Sequence, residues 1–328
     1  MKHDRMKCIL FVLAMSFNAV GAMAVEKDAV EQDVIGRPVR VVSISFPNGR
    51  SIDEVVALTE KEAAKGCDLL VLPETWRGNL AEDTTEGPAL PLFAEIARKY
   101  KTYLVCPLDR MDGEIRLNTA YVLDRQGQIA AEYNKYYPFW SEFDPEKKVT
   151  PGDRAVVFDA DFGKVGLAIC FDANFPNLWQ AMADQGAEIV VFPSAYSAGT
   201  QLQAHALNNH YYIVSSTQQS DCVVYDISGE ELLYEKSSDL NISRITLDLD
   251  RGIYHIDFNT KGRDKLLKEL NDKVVLDRYL KREAWFVLKA NAPNVSAREL
   301  ARKYGLEELR HYKKRSRDSI DKMRGKSR

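Results

Sequence analysis

Lys164-Val-Gly-Leu-Ala-Ile-Cys170-Phe-Asp-Ala-Asn-Phe-Pro176 runs from strand-like residues through a thiol into a turn. Residues 164–169 form a glycine-interrupted apolar run of strand length, Asp172 and Asn174 are turn formers, and Pro176 suits the first turn of a helix. Cys170 is therefore expected at a strand-to-helix elbow. Backbone N–H groups at such an elbow point at whatever the sulfur attacks, and a helix N-terminus is expected to favour thiolate over thiol. A cysteine packed in a core strand fits the same stretch. The rest of the chain has to decide between them.

Two further titratable residues share the placement of Cys170. Cys67-Asp-Leu-Leu-Val-Leu-Pro73-Glu74 is a continuous apolar run closed by proline, which predicts a strand buried on both faces with Glu74 at its exit. Residues 117–123 and 128–133 predict two strands joined at Asp124-Arg-Gln-Gly127, and Lys135 follows the second. In α/β sheets the C-terminal strand edge is where sites form. There a carboxylate can take the thiol proton and return it to a leaving amine while the thiol attacks a carbonyl to form a thioester. A lysine beside them, with the backbone N–H of Phe171, would stabilise the oxyanion. Singly, Glu74 reads equally as a cap and Lys135 as a solvated loop residue.

The bulk composition agrees with a folded enzyme-sized domain. The 328 residues are 45% apolar with a net charge of −3, which excludes a disordered chain. The charge is uneven: residues 261–328 hold 21 Lys and Arg against 10 Asp and Glu. Residues 1–24 read as a signal peptide, with a basic start (Lys2, Arg5, Lys7), a short apolar run and Ala22-Met-Ala24 ahead of Val25. Export to the periplasm or outside the cell is therefore expected, with no membrane span after cleavage. Cys67, Cys106, Cys170 and Cys222 are too scattered for a disulfide framework, although one bridge stays open.

Strand and helix patterns alternate along the chain. Residues 37–46 predict a strand and 51–65 a helix with a Ser51/Glu54 capping box. Helices are expected over 88–100, 178–185 and 201–211, with strands at 102–108, 155–158 and 188–192 and a meander from 212 to 247. This is an α/β layered domain with a large mixed sheet or two stacked sheets, ending near residue 250. Beyond it, residues 265–280 and 284–288 read as helical, and Ser296-Ala-Arg-Glu299 opens another helix. The basic end reads as a solvated helix or subunit-packing arm rather than a nucleic-acid arm.

With these residues in place, the sequence resembles the nitrilase superfamily of carbon–nitrogen hydrolases. Leu70-Val-Leu-Pro-Glu74 is similar to its glutamate strand end, Tyr133-Asn-Lys135 to its lysine segment, and Gly166-Leu-Ala-Ile-Cys170-Phe-Asp172-Ala-Asn-Phe-Pro176 to its nucleophile elbow. Leu117-Asn-Thr-Ala-Tyr-Val-Leu-Asp-Arg-Gln-Gly127, Thr150-Pro-Gly-Asp153 and Gly186-Ala-Glu-Ile-Val-Val-Phe-Pro-Ser194 fit in order. The resemblance covers residues 37–250 and implies a four-layer α-β-β-α sandwich, a homodimer or higher homo-oligomer, and no cofactor. It also implies a second glutamate beside the lysine, for which Glu142 is the candidate, with Asp144 or, less well, Glu146 in its place. Tyr136, Trp140, Phe171, Phe175 and Tyr196 are expected around the pocket, although plain core packing suits each.

Phe171-Asp172 resembles the amidase and carbamoylase branches, where true nitrilases resemble one another in Trp-Glu after the cysteine. The expected activity is therefore hydrolysis of a small-molecule amide or carbamoyl compound. A nitrile hydrolase and a catalytically inactive binding protein on the same fold are the alternatives. A thiol–histidine pair using His205 or His210 is disfavoured because residues five apart lie on different helix faces. The same spacing argues against a metal pair, and no cysteine–histidine cluster points to metal.

Overall fold

The computed structural model describes residues 34–78, 82–83, 87–145 and 148–325. The expected signal peptide and Glu146 lie outside the described residues. In chain order the main domain contains β1 (Pro38–Ser45), α1 (Ile52–Ala63), β2 (Leu69–Val71), β3 (Glu82–Asp83), α2 (Leu90–Tyr100), β4 (Tyr103–Asp112), β5 (Ile115–Leu123) and β6 (Ile129–Asn134). It continues with β7 (Val156–Ala160), β8 (Gly163–Leu167), α3 (Pro176–Asp184), β9 (Ile189–Ser194), α4 (Gly199–Asn209), β10 (Tyr212–Thr217), β11 (Asp221–Tyr225), β12 (Glu231–Lys236) and β13 (Asn241–Asp248).

Two sheets result. One runs β13-β1-β2-β4-β5-β6 with β3 added beside β4, and the other runs β12-β11-β10-β9-β8-β7. The side-chain alternation of a strand explains how they stack. In β1, Val39 and Val41 join a core shared with the second sheet, while Val42 and Ile44 face a separate core under α1 and α2. Leu69 and Val71 against Leu70 and Leu72, and Tyr103 and Val105 against Leu104 and Cys106, divide in the same way. On the far side, Leu178, Trp179 and Met182 of α3 and Leu202 and Ala206 of α4 are buried with the second sheet. The layers are therefore helix, sheet, sheet, helix, the α-β-β-α sandwich expected. Each such aliphatic or aromatic side chain contributes roughly 1.5–3 kcal/mol by leaving water. Ser43 Oγ donates to Ser215 O at 2.7 Å and Ser216 Oγ to Ile44 O at 2.8 Å, which ties the sheets together polarly.

Strands β1, β2 and β4 are parallel, as are β8, β9 and β10. This is why the strand exits collect at one edge of the sandwich. Local signals start and stop the elements much as the sequence suggests. Ser51 and Glu54 form the capping box of α1, and Pro176 sits in the first turn of α3. Gly152 is required by space rather than by conformation: a Cβ there would meet Asn134 O at 2.1 Å.

Residues 251–325 are not the helical extension expected. They form β14 (Gly252–His255), α5 (Ile256–Glu269), β15 (Val274–Leu280), β16 (Trp285–Ala290), α6 (Ala297–Lys303) and α7 (Leu309–Met323), with an antiparallel sheet in the order β14-β16-β15. The stretches read as helix at 274–280 and 284–288 are thus strands. Their Val274-Val275, Tyr279 and Trp285-Phe286-Val287 are β-branched and aromatic residues that suit a half-buried sheet, and Val274, Phe286 and Leu288 build a small core of its own with Leu266 and Ala301. Arg298 docks this unit on the sandwich through Glu188 at 2.7 Å and Glu308 at 2.8 Å. The bridge left open among the cysteines does not form: Cys67, Cys106, Cys170 and Cys222 are all free and buried.

Candidate active site

Glu74, Lys135 and Cys170 leave their strands at the same edge. Glu74 lies three residues past β2, and its carbonyl accepts from Gln218 Nε2 at 2.6 Å. Lys135 directly follows β6; its N–H donates to Asn118 O at 2.8 Å and its carbonyl accepts from Gly152 N at 2.9 Å. That second bond explains the Thr150-Pro-Gly-Asp153 segment: glycine lets the chain approach close enough to fix the lysine backbone. Cys170 opens a 3₁₀ turn, Cys170–Asn174, with φ at 49°, and Thr75 beside Glu74 has φ at 35°. Left-handed backbone at non-glycine residues costs about 1–2 kcal/mol each and persists only where surrounding contacts impose it.

At the elbow those contacts converge on Asp172. Its fully buried carboxylate accepts from Tyr133 Oη at 2.6 Å, Ile169 N at 2.8 Å and Tyr137 N at 2.8 Å. Trp179 Nε1 donates to its carbonyl at 2.9 Å. The residue read from sequence as a turn former and, with Phe171, as a mark of the branch therefore ties the elbow to the segment that carries Lys135.

The polar cluster is compact. Lys135 Nζ, on a residue 1% exposed, donates to Glu74 Oε1 and to Glu142 Oε2, both at 2.8 Å. Asn118 Nδ2 donates to Glu74 Oε1 at 2.8 Å and to Glu142 Oε1 at 3.0 Å. Glu74 Oε2 accepts from Ala195 N at 2.9 Å. The Cys170 thiol interacts with both the Glu74 carboxylate and the Ala195 N–H. Glu142 thus stands where the second glutamate was expected, whereas Asp144 is not among the residues lining the pocket.

The electrostatics correct one expectation. Cys170 is not tuned towards thiolate by a helix end: burial, and then the Glu74 carboxylate, push its pKa up, and Lys135 offsets this only in part. The reason is local, because α3 begins at Pro176 and only a short 3₁₀ turn stands next to the sulfur. Burial alone would lower Lys135, but the carboxylate charges of Glu74 and Glu142 hold its pKa well above the ordinary lysine value. Glu142 is partly buried, and Lys135 with the Asn118 and Phe139 hydrogen bonds keeps its carboxyl below the usual range. Burial pushes Asp172 up to about 6.

These groups face a cavity of about 480 Å³. Phe171 and Tyr196 line it, as expected. Tyr136, Trp140 and Phe175 do not. Trp140 points to solvent at 70% exposure, Phe175 stacks on Tyr137 with ring centroids 3.7 Å apart, and Tyr136 packs against the same tyrosine. The aromatic in the cavity wall is Phe139, edge-on to Phe171. Every residue from 136 to 140 is apolar or aromatic, so the 3₁₀ turn Trp140–Phe143 decides which one faces inward, and no periodicity announces that. Also unanticipated are Gln218 and the chain Tyr196 Oη to Gln201 Oε1 at 3.0 Å and Gln201 Nε2 to Asn174 Oδ1 at 2.8 Å. His205 stacks on Trp179 and His210 contacts Ile227 O; neither lines the cavity.

Comparisons with known proteins agree with this geometry. The sequence model described as "Carbon-nitrogen hydrolase" matches residues 48–249. A chloroplastic omega-amidase of Arabidopsis thaliana is 24% identical over 55% of this chain and 56% of its own length, and a nitrilase of Pyrococcus abyssi is 28% identical over 65% and 85%. The match thus spans little more than half of the chloroplastic relative. Among solved structures, an amidase from Nesterenkonia sp. bearing the acetamide moiety of fluoroacetamide on its active-site cysteine superposes with a TM-score of 0.58 at 19% identity, covering 72% of this chain and 99% of that one.

Proposed function

Because the chain belongs to the carbon–nitrogen hydrolase family, we propose that it cleaves a non-peptide C–N bond, in an amide or carbamoyl compound, through a thioester on Cys170. The observation that carries this reading is the gathering of Glu74, Lys135 and Cys170 on one cavity, with the Glu74 carboxylate bonded to the Lys135 ammonium.

The chemistry follows from the charges. Since the resting sulfur is a thiol, attack needs a base, and Glu74 takes the proton as sulfur adds to the carbonyl carbon. The oxyanion that develops is stabilised by Lys135, already positive and fixed by two carboxylates, together with the Phe171 N–H. Collapse expels ammonia or an amine, which receives the proton from Glu74 and leaves a thioester. A water molecule, deprotonated by the same carboxylate, then hydrolyses the thioester and restores the thiol. Glu142 holds Lys135 in place. Phe139, Phe171 and Tyr196 supply the walls that exclude water from the acyl group.

The test is ammonia release from a panel of amides, carbamoyl compounds and nitriles, with Cys170→Ala as the blank. Turnover confined to nitriles would replace the amidase reading with the nitrilase one, and no turnover of any member would favour a binding protein. Export and a homodimer are further proposals, resting on the leader-like residues 1–24 and on the family resemblance. N-terminal sequencing of the mature protein and light scattering test them.

A further inference from the structure

A second cavity, of about 340 Å³, lies between the C-terminal ends of α3 and α4 and the basic helix α7. That volume is at the lower end of the roughly 300–1,000 Å³ typical of small-molecule sites. It is lined by six cations, Lys164, Arg298, Arg310, Lys313, Lys314 and Arg317, against two carboxylates, Asp184 and Glu188. Four of the cations have acidic partners: Lys164 with Asp159, Arg298 with Glu188 and Glu308, Lys314 with Asp318, and Arg317 with Asp184.

The other two do not. Among the described residues, Arg310 donates only to the carbonyls of Ala187 at 3.0 Å and His210 at 2.8 Å. Lys313 contacts Asn208 O at 3.1 Å and His210 Nε2 at 2.7 Å. Arg317 Nε is buried with no hydrogen-bond partner. Positive charge out of water without a counter-charge is costly, and a guanidinium with donors to spare matches the fork geometry of an oxyanion. At the end of α4 the carbonyls of Asn208 and His210, which would repel an anion, are already engaged by Lys313 and Arg310.

We propose that this cavity binds a small multivalent oxyanion of the phosphate class, held by Arg310, Lys313 and Arg317. Burial supports the assignment beside the contacts: it lowers the Arg310 pKa despite the charges of Glu308 and Glu188, and brings Lys313 down to about 8. The site is separate from the Cys170 cavity, with which it shares no lining residue, so the inference does not depend on the hydrolase reading.

Inorganic phosphate is titrated into the full chain by calorimetry and thermal unfolding, against sodium chloride at equal ionic strength. Saturable binding is expected, with a rise in Tm of about 2 °C near tenfold excess over Kd. Lys313→Gln and Arg317→Gln are each expected to weaken binding about tenfold. Lys314→Gln, at a half-exposed position, serves as the third variant should either fail to fold, with weakening of at least threefold. Glycerol 3-phosphate separates the two sources of the anion: tighter binding than phosphate assigns the site to a phosphate ester, and equal binding to the free ion. A rise in Tm no larger than that in chloride, or unchanged affinity in every folded variant, overturns the proposal.

Discussion

Asn118 holds Glu142 through a 3.0 Å hydrogen bond from its Nδ2, and it does so with the same amide group that donates to Glu74. The buried carboxylate of Glu74 and the half-buried one of Glu142 are thereby kept at fixed separation with Lys135 between them. Asn118→Ala removes both bonds and leaves the carboxylates to one cation. A lost buried hydrogen bond to a charged group is worth roughly 1–3 kcal/mol, so kcat/KM should fall about ten- to a hundredfold. The Glu142 pKa should rise, moving the acid limb of the pH–rate profile to higher pH. Steady-state rates across pH check both, and an unmoved limb would show that Asn118 does not set the charge of Glu142.

In the proposed mechanism a protonated Cys170 needs Glu74 as base, which a preformed thiolate would not. Glu74→Gln keeps the shape and removes the base, and kcat should drop by about 10²–10⁴-fold. Alkylation of Cys170 by iodoacetamide should slow in the same variant, as followed by mass of the intact protein. Equal alkylation rates in variant and parent would mean that another group takes the proton.

Asp172 gives a stability signature with a defined sign. Its folded pKa, about 6, lies above the unfolded value near 3.9. The folded state therefore holds the proton more tightly, and the stability linked to it is complete below the unfolded pKa and lost as pH rises through 6. The loss amounts to about 3 kcal/mol. Asp172→Asn does not titrate, so the difference in unfolding free energy between variant and parent should move by about that amount in favour of the variant from pH 4 to pH 7. Urea unfolding at a series of pH values measures it; a constant difference would place the Asp172 pKa near its ordinary value.

Arg298 joins Glu188 of the sandwich to Glu308 of the C-terminal unit. Arg298→Met leaves the half-buried Glu308 without its partner; breaking a fully buried pair costs about 3–5 kcal/mol, and this one should cost about 1–3 kcal/mol. Thermal unfolding should show the loss, while Km for the best amide stays near that of the parent because the Cys170 cavity shares no wall with this contact.

The parts of the site that could be read from the sequence are those marked by strand ends. Glu74, Lys135 and Cys170 each follow an apolar run, and a polar residue there has few places to point except the sheet edge. Asn118 lies within β5 and Gln218 just past β10, where nothing local separates a residue reaching into the site from one satisfied in the sheet. Asn118 did carry one signal, an amide beside Leu117 in a strand whose following residues are buried on both faces. The strand at 274–280 was obscured because Leu276, Tyr279 and Leu280 fall at helical spacing while a register shift between Leu276 and Arg278 breaks the alternation, and packing of Val274 and Phe286 with Leu266 and Ala301 settles the choice only in three dimensions.

The positive φ of Cys170 bears on what it costs the fold to hold a side chain at the elbow. Glycine takes that backbone conformation without penalty, so Cys170→Gly should unfold at a higher denaturant concentration than Cys170→Ala, by about 1 kcal/mol. Of the two ways to remove the thiol, glycine therefore costs the elbow less backbone strain than alanine, and the difference between the two variants measures what the fold invests in holding a side chain there.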